Sequence, residues 1–417
     1  MGRRNEWLLV SFTVATNLAD AVTKVALPLL AVRLTDQPAL IAAVAVLLTL
    51  PWLVTALHVG VLVDRLDRRR LMVAAETARI GAIVVLLGAV AADVVSLPLL
   101  YAVALALGVA EVVALTAGAS IIPAAVPRHR WQTVTARITA AEYLCNGFVG
   151  APVGGFLVAA GFGIALGATG VVYVVGAGLL LLIVGTFTPP RRERRPVGRE
   201  IRDGLGFLMR SRLLRTMALL IAAMAGAWSA WLALIPAYAV AGPLGLDERR
   251  FGFLLTALGA GGVVGALLVG RINRLLGRRW SMFADIVGSF ALVAVPAIVP
   301  AGPGAAVPVG VAAFVAGVGG TMWTVNSRVI VQSAVPDGML GRFNAASRLV
   351  GWGMTPVAAA LAGVLAQVAG FRVAFGVFAV LCALLVVPYL RVVTTEAITA
   401  ALDQPGEPRP QETVRTG

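Results

Sequence analysis

The chain has 417 residues, 59% of them hydrophobic and only 13% charged, whereas a soluble domain carries about 25% charged residues. Its net charge of +14 would suit a nucleic-acid partner, but the arginines lie in short stretches between long apolar runs, which is the pattern that orients a protein in a membrane. Composition therefore selects a polytopic protein whose partner is the lipid bilayer, and excludes nucleic acid.

A helix needs about 20 apolar residues to cross the hydrocarbon core. Twelve segments have that length: 7–33, 39–63, 71–92, 97–121, 134–159, 163–187, 213–240, 251–270, 280–300, 305–327, 343–367 and 371–392. They are apolar all round rather than alternating, so a closed barrel is excluded and helices remain. The expected fold class is an all-α membrane protein with twelve transmembrane helices. The first span is too long for a cleaved leader and lacks a small-residue cleavage site, so it is expected to be retained.

That first span carries Asn17, Asp20 and Lys24. Asp20 lies about 13 residues in, or ~20 Å at 1.5 Å per residue, near the bilayer midplane. Lys24, the only lysine of the chain, is one turn on and shares its face. Each charge alone would cost about 2.5–3.5 kcal/mol at the bilayer centre, so both must face the protein interior or a watered cavity. Asp20 reads either as a proton-binding carboxylate that responds to Lys24 or substrate, or as half of a static ion pair.

Between the second and third spans lies Gly60-Val61-Leu62-Val63-Asp64-Arg65-Leu66-Asp67-Arg68-Arg69-Arg70-Leu71-Met72. It is too charged for lipid and too short for a domain, so it must be a tight turn at one membrane surface. Its arginines assign that surface to the cytoplasm. Glu76 and Arg79 follow, and are grouped with this turn. The fourth span holds Glu111, a second proton-binding candidate. The fifth holds Glu142, a further proton-coupling candidate that reads more readily as part of a structural charge network, with Arg137 before it. It also holds Gly147, Gly150, Pro152, Gly154 and Gly155, which would allow close helix approach and a bend and so form a candidate hinge.

Thr188-Pro189-Pro190 ends the sixth span, and residues 188–212 read as a cytoplasmic linker whose latter part is amphipathic and suited to the membrane surface. Asn17 of the first span and, in the second half, Trp228, Trp231, Trp323, Asn326 and Arg328 are candidates to line a substrate cavity. The expected organisation is a six-helix bundle over 1–187, the linker, a second bundle over 213–393, and a disordered polar tail over 394–417.

Several landmarks recur after half the chain. Gly270-Arg271-Ile272-Asn273-Arg274-Leu275-Leu276-Gly277-Arg278-Arg279 repeats the first turn, with Gly277 where Asp67 stood. Val126-Pro127 and Gly161-Phe162 return as Val335-Pro336 and Gly370-Phe371, and Glu76 matches Asp285. Two homologous halves follow. Arginines crowd one side, and with an even number of spans both termini are expected in the cytoplasm. One lysine among 34 basic residues is the codon habit of a GC-rich bacterium, and so points to a bacterial inner membrane.

Twelve spans in two halves, with such turns after spans two and eight, resemble the major facilitator superfamily. The stretch from Gly60 is similar to its signature G-x-x-x-D-R-x-G-R-R, with Asp67 in place of a glycine. That departure, Gly108-Val109-Ala110-Glu111, and Phe148-Val149-Gly150-Ala151-Pro152-Val153-Gly154-Gly155 resemble the branch of enterobactin exporters and macrolide-efflux proteins. The last stretch is a looser form of an exporter-associated G-P-x-x-G-G motif. The resemblance implies alternating access and a cytoplasmic gate of Gly60, Asp64, Arg65, Arg68, Glu76 and Arg79 facing Arg342 and Arg348. The leading expectation is a secondary transporter, working as a monomer, that exports a small organic molecule, such as a drug, macrolide or siderophore, driven by proton entry. A nutrient importer of the same fold, and a non-transporting sensor or scramblase, remain alternatives. His58 and His129 form no metal-spacing cluster and no phosphate-cradling loop is present, so neither an enzyme nor a metal or other cofactor is expected.

Overall fold

The computed structural model describes residues 2–63, 65–185, 187 and 197–403. The expectations for Asp64 and for residues 188–196 and 404–417 lie outside them. The described residues form helices and no strand. The first half runs through α1 (Gly2–Leu34), α2 (Pro38–Val54), α3 (Ala56–Val63), α4 (Arg68–Ala91) and α5 (Leu97–Ala125). It continues with α6 (Trp131–Glu142), a π-helical turn (Tyr143–Val149), α7 (Gly150–Ala160) and α8 (Phe162–Leu181). α2 and α3 together make the second span. α6, the π turn and α7 make the fifth.

After α9 (Val197–Arg210), the second half follows as α10 (Arg212–Pro236), α11 (Glu248–Ile298), α12 (Ala306–Ala334), α13 (Asp337–Gly353), α14 (Thr355–Leu384) and α15 (Val386–Val392). α11 and α14 each carry two spans, divided where the backbone turns left-handed at Gly277 (φ 80°) and Gly370 (φ 84°). Nothing would crowd a Cβ at either glycine. The positive φ, which L side chains rarely adopt, is therefore what requires glycine there. Counted this way the chain crosses twelve times, in two bundles of six.

The halves solve the same turns with related chemistry. Gly161 (φ 140°) breaks the fifth span from the sixth, as Gly370 breaks the eleventh from the twelfth. Gly277 has no glycine counterpart in the first turn. There Asp67 caps α4 by accepting from the Arg70 amide at 3.0 Å, a standard N-terminal cap. Arg69 Nη2 donates to the Leu181 carbonyl at 2.5 Å, and Arg279 Nη2 donates to the Leu390 carbonyl at 3.1 Å. Each arginine meets carbonyls that the end of its half's sixth span leaves unpaired, where a cation also suits the helix dipole.

Two segments depart from expectation. Residues 394–403 are ordered rather than part of a disordered tail: α16 (Thr395–Leu402) is capped by Thr394. Its Ile398 and Ala401 are buried with Met282, Ile286 and Tyr389. An apolar stripe in a polar sequence finds a core that composition does not reveal. The linker's latter part is α9, and its apolar face lies on α13 instead of free on the membrane surface. Leu208 is buried there, Phe207 meets Phe343 edge-on at 6.2 Å, and Gly204 lets its helix touch the Arg342 carbonyl.

Candidate functional site

Five charged side chains meet inside the first bundle. α1 presents Thr16, Asp20 and Lys24 at successive turns of one face. α4 contributes Glu76 and Arg79, α5 contributes Glu111, and α8 contributes Tyr173. Arg79 Nη2 pairs with Asp20 Oδ2 at 3.1 Å and Nη1 with Glu76 Oε1 at 2.7 Å. Its guanidinium also donates to Thr16 and lies over the Tyr173 ring, 5.4 Å from the centroid. Tyr173 Oη donates to Asp20 Oδ1 at 2.7 Å. Lys24 Nζ pairs with Glu111 Oε1 at 3.0 Å.

Burial falls across this network. Glu76 and Arg79 are 0% and 2% exposed, whereas the Lys24 side chain is 43% exposed. The Lys24–Glu111 pair is therefore its accessible end. Three carboxyls face two cations, so full ionisation would leave one excess negative charge at membrane depth. Such a charge is costly, and one proton removes it.

The geometry revises several expectations. Asp20 and Lys24 do not pair with each other; each takes a partner from another helix, because one cation cannot satisfy both Asp20 and Glu111. Glu76 and Arg79 do not belong to a surface gate. They lie 8 and 11 residues beyond Arg68, about 12 and 16 Å along α4. The signal was in the sequence: two charges three residues apart inside the span 71–92. Tyr173 carried no such signal.

Arg137 does not neutralise Glu142. It turns with Arg130 to Glu6, which is 1% exposed and accepts from Arg130 Nε and Nη2 at 2.8 Å each. Glu142 instead feels the charges of Arg348 and Arg328 from the second half. Of the other gate candidates, Arg68 donates to the Ser120 carbonyl at 2.8 Å, Arg65 is exposed, and Gly60 has open space around it. Arg342 Nη1 lies 3.6 Å from Asp203 of α9.

At the arginine-rich end Arg328 of the second half faces α6 of the first across an open cleft. The cleft, of about 640 Å³, is lined by Trp131, Gln132, Thr135, Thr139 and, from the other half, Arg328. Arg328 thus lines this cleft. Trp231 and Trp323, 0% and 3% exposed, are core residues instead. Asn326 is also buried: its Nδ2 donates to Ser281 Oγ and the Met322 carbonyl, and its Oδ1 accepts from Asn273. It ties the second turn to α12. A polar or aromatic residue within a span can be core as easily as lining, and sequence does not separate the two. Trp228 is half-buried and donates to Ser289 at 2.9 Å. Asn17 is buried and accepts from Asn146, an exposed residue of the π turn that sequence reasoning missed.

At the opposite end the halves close on each other. Arg33 Nη2 pairs with Glu248 Oε1 at 3.0 Å, and Phe156 meets Phe253 edge-on at 5.4 Å. A Cβ on Gly155 would stand 2.8 Å from Gly252 Cα and 2.9 Å from the Glu248 carbonyl. Gly150 brings α7 against Ala21 of α1, and Gly154 against Val22 and Val25. Gly147 lies in the π turn and Pro152 just beyond it. The helix-five glycines thus sit at a three-way seam, next to a local departure from α-helical geometry.

A family model described as Major Facilitator Superfamily matches residues 9–356. The chain is 26% identical over 391 residues to the multidrug efflux pump Tap of Mycolicibacterium fortuitum, covering 89% of this chain and 92% of that protein. Its fold is similar to that of the nucleoside transporter NupG, with a TM-score of 0.70 at 12% identity over 94% of this chain and all of the other. A bacterial homologue of the iron transporter ferroportin, solved in an inward-facing state, gives 0.69 at 16% identity over 94% of this chain and 99% of the other.

Proposed function

Since the chain belongs to the Major Facilitator Superfamily, and is thus a membrane transporter rather than an enzyme, we propose that it is a proton-coupled exporter of small organic molecules. The observation that carries the reading is the buried network with three carboxyls and two cations. Asp20 is the proposed proton site, and Glu111, whose partner Lys24 reaches the accessible end, is its nearest alternative. A proton on Asp20 would free Arg79 to serve Glu76 alone. That changes how α1 is held to α4 and α8.

The arginine-rich end is assigned to the cytoplasm by the positive-inside rule, with both termini there. The cleft is then open to the cytoplasm and the Gly155–Gly252 seam closes the far side, an inward-facing arrangement able to take substrate from within. The likeness to the efflux pump supports export. The substrate class stays with drug, macrolide or siderophore-like compounds.

The test uses inside-out membrane vesicles under an inward-acid gradient, a panel of lipophilic cations, macrolides and siderophores, and a pH-sensitive dye. Gradient collapse with one of these compounds in wild type, lost in Asp20→Asn, is the expected result. Equal collapse in both moves the proton site to Glu111. Accumulation of such a compound by whole cells along with protons would overturn export.

A further inference from the structure

The second bundle holds a buried carboxyl that the network above does not use. Asp285, in the part of α11 beyond Gly277, is 3% exposed. It occupies the place of Glu76 in the repeat, 209 residues on. The two sites then diverge. Glu76 has Arg79 one turn ahead on its own helix. The residues one turn beyond Asp285 are Gly288 and Ser289, so the cation has no counterpart.

The surroundings of Asp285 are tight. From α12, Gly319 and Gly320 press against it: a Cβ on Gly319 would stand 2.6 Å from Asp285 Cα, and one on Gly320 would stand 3.1 Å from the Trp228 ring and 3.7 Å from Asp285 Oδ1. Its own helix supplies Ser289, whose hydroxyl donates to Asp285 Oδ1 at 3.3 Å. α10 supplies Trp228, whose Nε1 donates to Ser289 Oγ at 2.9 Å. α14 brings the buried Cys382 thiol near the carboxyl. No ion pair reaches Asp285 among the described residues.

A carboxylate buried without a cation is far more costly than a neutral acid, and such a group takes up a proton instead. We propose that Asp285 is a second proton-binding site, occupied in the conformation seen here, and that Trp228 is linked to it through the Ser289 hydroxyl. The direction of the hydrogen bonds supports the link. Ser289 accepts from the indole and gives its own proton to Asp285, so it has no further proton to give. Moving the indole loosens that hydroxyl and with it the one side-chain hydrogen bond that reaches Asp285 among the described residues. Trp228, half-buried, is the end of the chain from which a change in surroundings can enter. This site goes beyond the Asp20 reading and stands or falls apart from it.

The test is infrared spectroscopy of the full chain in lipid nanodiscs at neutral pH, with and without isotope-labelled aspartate. Wild type is expected to show a protonated-carboxyl carbonyl band that shifts with the label, survives Asp20→Asn and disappears in Asp285→Asn. Trp228→Phe, which keeps the ring but removes the donor, is expected to move the band and the pH at which it is lost. Absence of a label-sensitive band that survives Asp20→Asn, or persistence of that band in Asp285→Asn, overturns the site. Because the label reads wild type directly, a poorly folding variant does not shield the proposal. A band unmoved by Trp228→Phe overturns the link. Failure of Asp20→Asn to uncouple transport would leave this result untouched.

Discussion

Arg79 is the residue on which the first bundle's charges depend. It is 2% exposed and holds two carboxyls from different helices together with Thr16. Breaking a buried pair by removing one partner costs about 3–5 kcal/mol, because the other charge is left buried and unpaired. Arg79→Met is therefore expected to lower thermal stability sharply in detergent, measured by the unfolding midpoint of the purified protein. Glu76→Gln added to it should recover part of the loss, since it removes the deepest stranded charge. A double variant no more stable than the single would show that Glu76 is not what Arg79 neutralises. Glu6 makes the opposite case at the arginine-rich end. It is fully buried but has two arginines, so Arg137→Ala should cost less there, Arg130 keeping both of its bonds.

At the scale of elements, the fifth span decides how the halves meet. Its glycines face two helices at once, α1 of its own half and α11 of the other. The π turn before them and Pro152 among them mark a place where helical hydrogen bonding is already irregular. Gly155→Leu puts a side chain where only a Cα now fits. It is expected to part α7 from α11 and raise the reactivity of a cysteine placed at Phe253 towards a membrane-impermeant thiol reagent added from the far side. Unchanged reactivity would mean that the seam yields elsewhere. α9 offers a second check. Gly204→Val removes its contact with the Arg342 carbonyl and is expected to expose the following segment to protease, without loss of the twelve-span core.

For the whole molecule, the open cleft at one end and the closed seam at the other mean that charge can bias the balance of states. Arg33–Glu248 is an ion pair across that seam, with side chains 58% and 26% exposed. An exposed pair contributes only about 0.2–1 kcal/mol. Arg33→Glu is thus expected to shift the population a few-fold towards opening at that end, and the charge swap Arg33→Glu with Glu248→Arg to restore it. Spin-label distances across the seam would check both. A swap that fails to restore the wild-type distribution would show that Arg33 acts through its stacking on Phe162 instead.

Bundle number, span count and the repeat were legible from the residues alone, because the bilayer imposes a fixed apolar length and punishes every unpaired charge. The same physics marked Asp20, Lys24 and Glu111 as interior groups, and the recurrence of Gly161 as Gly370 located two of the breaks. What the residues did not disclose was who pairs with whom. Arg79 looked like part of a surface turn until α4 placed it against Asp20, 59 residues away in sequence. Trp231 and Trp323 looked like cavity walls until packing enclosed them. Ile398 looked like tail until it found Met282. Local pattern determines that a group must be buried or paired. Only the tertiary arrangement decides with which partner, since that depends on helix rotation and crossing, to which hydropathy is blind.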